Sequence, residues 1–113
     1  MGVALATPTM VGLSREHGRG EVLAQLAVSL SYANSMLGGG MADEVLGVMA
    51  RSLYEEYGGV PLGVIATAIR RGMAGKAGVV NGHKLTYPML CGWVEAELRR
   101  VEEYNYNRHQ SLK

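Results

Sequence analysis

Apolar residues recur at intervals of three and four in four separate blocks of this chain, and glycine or proline stands between one block and the next. That spacing lines side chains along one stripe of a helix, whereas a half-buried strand needs strict alternation. The pattern predicts an all-α fold, a compact bundle of about four helices over about 19–37, 41–57, 61–73 and 87–104. In the first block Val22, Leu23, Leu26, Ala27, Leu30 and Ala33 share a face, Glu21 suits the positive end of the helix dipole, and Gly38-Gly39-Gly40 ends the helix. The second carries Val45, Leu46, Met49, Leu53, Tyr54 and Tyr57 behind Asp43 and Glu44, and Gly58-Gly59 stops it. Pro61 suits the first turn of the third, which buries Leu62, Ile65, Ile69 and Met73 and ends on Arg70 and Arg71. Thr86 can cap the fourth, with Pro88 in its first turn and Leu90, Trp93, Val94, Leu98 and Val101 as its stripe. Glu95 and Arg99 form an i,i+4 pair on its solvent side.

At 113 residues the chain has the length of one domain. Residues 19–104 form that domain, 1–18 read as a flexible N-terminal arm, and 105–113 as a polar C-terminal tail. Asn81-Gly82 between short β-formers favours a tight turn with positive φ, which reads as a tiny β-hairpin around 79–85 or as an irregular loop. No basic residue precedes the apolar start, and Ala6 stands where a myristoylation signal needs Ser or Thr. No 18 apolar residues run uninterrupted, so no membrane span is expected. With one cysteine and therefore no intrachain disulfide, the chain reads as cytoplasmic.

Few residues invite chemistry. Cys91 with His17, His83 or His109 would make a thiol–imidazole couple, but its place beside Leu90 and Trp93 suits a small core residue better. The histidines match no zinc spacing, and the glycines at 72, 75, 78 and 82 follow a helix rather than a strand, unlike a phosphate loop. Hence no catalytic residue, metal ligand or cofactor site is assigned, and the chain is not read as an enzyme.

Charge is informative through its placement. Residues 1–60 hold three basic and six acidic groups, net −3, whereas residues 61–113 hold eight and four, net +4. No acid occurs between Glu56 and Glu95, while Arg70, Arg71, Lys76, His83 and Lys84 do. These five form the candidate surface for an acidic partner or nucleic acid.

Met41-Ala42-Asp43-Glu44 opening a helix, the run Leu53-Tyr54-Glu55-Glu56-Tyr57, Arg70-Arg71-Gly72-Met73, the loop Gly75-Lys76-Ala77-Gly78 and Trp93-Val94 together carry a resemblance. Over about residues 20–105 the chain resembles uncharacterised small helical proteins of phages and mobile elements of gut-type bacteria, some of whose relatives are compared with replication accessory proteins and helicase loaders. It departs from them in lacking an aromatic residue near Ile69 and in having Val79-Val80-Asn81-Gly82-His83-Lys84 before the last helix. The resemblance implies a helical fold, a mobile-element setting and a replication partner, and supplies no catalytic residue. Two functions follow as expectations. One is a non-enzymatic adaptor that binds a protein partner, such as a replicative helicase, through an exposed apolar or basic face, with Met36, Met41, Met49, Met73 and Met89 suited to adaptable contacts. The other is a winged-helix-like DNA-binding protein that uses the basic 70–84 region.

Overall fold

The computed structural model describes residues 8–75 and 85–111 and is mostly helical, with no strand among those residues. The helices are α1 (Met10–His17), α2 (Arg19–Met36), α3 (Asp43–Tyr57), α4 (Leu62–Met73) and α5 (Tyr87–Ser111). Among the described residues there are therefore five helices, not the expected four. The hairpin expected around 79–85 falls, apart from Leu85, outside the described residues.

The additional helix lies within the stretch expected to be a flexible arm. The Thr9 hydroxyl accepts from the Gly12 amide at 3.0 Å and caps α1. Thr9 also forms an isolated antiparallel bridge with Pro61, and the Met10 and Val11 amides donate to the Val60 and Gly58 carbonyls, each at 3.0 Å. Met10 is fully buried in the core. The partners that fix this segment lie some fifty residues away along the chain, so no local pattern announces them.

Gly18, at φ 92°, turns α1 directly into α2. The glycine stop after α2 is present, with Gly38 and Gly39 at φ 111° and 72° and the Gly39 amide on the Asn34 carbonyl at 2.7 Å. The Asn34 side chain then holds Met41 through both its amide and its carbonyl, at 3.3 and 3.1 Å, fixing the entry to α3. Pro61 sits one position ahead of its expected place and is the N-cap residue of α4. Thr86 receives the Met89 amide at 3.3 Å, the cap expected at the start of α5. α5 runs through the expected polar tail to Ser111, because neither glycine nor proline interrupts the sequence after Gly92.

The core gathers the expected stripes: Val22, Leu26, Leu30 and Ala33 of α2, Leu46, Met49, Leu53 and Tyr57 of α3, Ile65 and Ile69 of α4, and Leu90, Trp93 and Val94 of α5. α2 is the central support, packing on α1, α3 and α4, while α4 packs most extensively on α5. The molecule is flat, about 50 × 34 × 17 Å. Among the described residues no helix is long and apolar enough to cross a membrane.

Candidate functional site

Of the five expected binding residues, Lys76, His83 and Lys84 lie outside the described residues. Arg70 and Arg71 occupy the last turn of α4, where cations favour the negative end of the dipole. They differ sharply. Arg70 is exposed, whereas Arg71 Nε lies 3.4 Å from Glu97 Oε1. Glu97 is only 4% exposed and is also gripped by Arg100, whose Nε and Nη2 donate at 3.2 and 3.0 Å. That hydrogen bond and the carboxylate charge raise the Arg100 pKa. Arg71 is thus engaged within the fold, and a carboxylate inside the stripe of α5 holds it. The periodicity of apolar residues passes over Glu97, although its place three beyond Val94 and four beyond Trp93 was the available signal.

The expected recognition helix does not offer its start. In the first turn of α4 Leu62 is half-buried and Val64 buried, and neither can hydrogen-bond a base edge.

Cys91 is half-buried against the core, and its thiol acts on Tyr57 and Tyr87. The Tyr57 hydroxyl donates to Glu95 Oε2 at 2.9 Å, so Glu95 is tied to α3, and the expected pair with Arg99 is not formed. Burial first, then the hydrogen bond to Glu95 and the nearby Cys91 thiol, push the Tyr57 pKa up. Tyr87 is pushed up to about 12 by burial, then by Cys91 and the charges of Glu56 and Glu55. His17 is exposed on α1, 3.6 Å from Glu16. No group of three or more His, Cys, Asp or Glu among the described residues could hold a metal ion.

The larger surface feature is apolar. Val28, Tyr32 and Met36, each four residues apart on α2, are 70%, 61% and 63% exposed. Val45 and Val48 are open on α3, in contrast to the expectation that Val45 is buried. Beside Val28 an open groove of roughly 440 Å³ runs between α2 and α4, lined by Ala24, Gln25, Ser29, Leu62 and Ala66, with Glu21 at its edge. The hydrophobic pattern of α2 could not reveal this ridge, because its apolar residues span nearly the whole circumference of the helix.

No family model, curated protein or solved structure matches the chain.

Proposed function

We propose that the chain is a non-enzymatic accessory protein of a phage or mobile element that binds a protein partner. The observation that carries this reading is the ridge Val28–Tyr32–Met36, three large apolar side chains left in water on successive turns of one helix. Isolated exposed apolar residues are ordinary on any surface; a row of them beside a groove is the usual mark of an interaction face. Tyr and Met suit that role, the one for its large amphipathic ring and the other for its adaptable thioether. The resemblance over residues 20–105 implies a partner in DNA replication, with a replicative helicase as the first candidate.

Direct DNA binding is the lesser reading. Arg70 is exposed, but Arg71 is held by Glu97 and the first turn of α4 carries no base-reading group.

Capture from host extract, comparing the native chain with Tyr32→Asp, tests the proposal. A replication protein retained by the first and lost by the second supports it. No partner at micromolar concentration, or capture indifferent to Tyr32, overturns it. An electrophoretic shift at low salt that Arg70→Ala removes transfers the case to DNA.

A further inference from the structure

We propose that the groove between α2 and α4 receives a helix of the partner protein, apolar along one face and bearing Lys or Arg at the end that lies over Glu21. The inference rests on the docking-face reading above and adds the chemistry of the occupant.

Shape argues for a helix. Ala24 and Ala66 have small side chains facing each other across the groove, so an incoming backbone can come close, and Val28 and Leu62 supply apolar contact. Val28, Tyr32 and Met36 form a row of the i, i+4 kind, which helices use as ridges when they pack into the grooves of another helix. The occupant therefore needs apolar residues at i, i+4 and i+7.

Charge argues for a cation. Glu21 is the charged side chain that lines the groove, and Gln25 Nε2 donates to its Oε1 at 3.3 Å. The depression continues toward α1 over Glu21, Gln25 and His17, and Glu16 lies 3.6 Å from His17. Neither depression is lined by Lys or Arg. Arg19, the cation nearest in sequence, is directed elsewhere: it sits 5.1 Å above the Tyr54 ring and 3.7 Å from Glu55. An apolar floor with the Glu21 carboxylate at one mouth complements a helix with a basic end and repels an acidic one.

A phage-displayed library of helical peptides, selected on the full chain, is the probe. Enriched peptides are then measured by fluorescence anisotropy against the native chain and against Ala66→Glu, Val28→Asp and Glu21→Lys, each checked for native circular dichroism. Enriched sequences should be apolar at i, i+4 and i+7 with Lys or Arg at one end. Ala66→Glu should weaken them about tenfold or more by placing an unpaired charge in the groove. Glu21→Lys should weaken them about threefold to fivefold and shift the preference to acidic peptides. Acidic or uncharged winners, or indifference to Glu21→Lys, overturn the basic occupant and leave the docking face standing. Peptides insensitive to both Ala66→Glu and Val28→Asp, or no enrichment, overturn the groove as a helix site. Sedimentation showing a dimer that Ala66→Glu abolishes overturns it in favour of a second copy. The extract capture with Tyr32→Asp is a separate readout, so each reading can fail without the other.

Discussion

The indole of Trp93 lies directly against the Cα of Gly72, so closely that a methyl group added at Gly72 would fall within the ring. Both residues are buried, and the contact sets how near α4 and α5 approach. Gly72→Ala should therefore destabilise the fold by about 1–3 kcal/mol, since overpacked cores respond by distorting. Trp93→Ala should cost about 3–5 kcal/mol. The double variant should lose less than the sum, because the added methyl then has a cavity to occupy. Urea unfolding followed by circular dichroism checks all three, and strictly additive losses would show that the two residues do not act as a pair.

Glu97 ties α5 to α4 through Arg71 and is also held within α5 by Arg100. Glu97→Gln should cost about 1–2 kcal/mol, a figure reduced from that of a fully buried pair because Arg71 and Arg100 are 30% and 55% exposed. Arg70→Ala should stay within about 0.5 kcal/mol, as surface changes do, and Arg71→Ala should exceed it. Thermal melts at low and high salt separate the effects. Equal stability of the two arginine variants would mean that the bond from Arg71 to Glu97 contributes nothing.

Tyr57 and Tyr87 both have raised pKa values in the folded chain. A raised value means that folding favours the neutral phenol, so this contribution is intact below about pH 10, the unfolded value. It is lost as pH climbs, for Tyr87 between about 10 and about 12. Near neutral pH these tyrosines should give the melting temperature no pH dependence, and above 10 it should fall steeply, less steeply in Tyr57→Phe and Tyr87→Phe. Phenolate absorbance that rises for all six tyrosines together near pH 10 would contradict it.

The functional face has its own stability signature. Tyr32→Asp should leave the unfolding free energy within about 0.5 kcal/mol of native, because Tyr32 is 61% exposed. A large loss of stability would identify Tyr32 as structural.

Much of the fold was legible from spacing alone. Leu26, Leu30, Leu53, Ile65, Ile69, Leu90 and Trp93 are all in the core where helical periodicity puts them. The helix stop at Gly38–Gly39 and the Thr86 cap followed from backbone chemistry. α1 was not legible, since its anchor is a long-range bridge to Pro61 rather than a stripe of its own. Arg71 and Glu97 illustrate the harder limit for the site. Sequence shows that Arg70 and Arg71 are both basic, but only the packing of α4 on α5 decides which of the two is held inward. Likewise the groove beside Val28 exists because α2 and α4 are distant in sequence and adjacent in space.

The clasp between Thr9–Val11 and Gly58–Pro61 joins the first helix to the turn that launches the fourth. Shortening the chain through Val11 would strip two hydrogen bonds and the Met10 core side chain from that turn at once. Any version that begins beyond these residues would then report on a loosened α3–α4 corner.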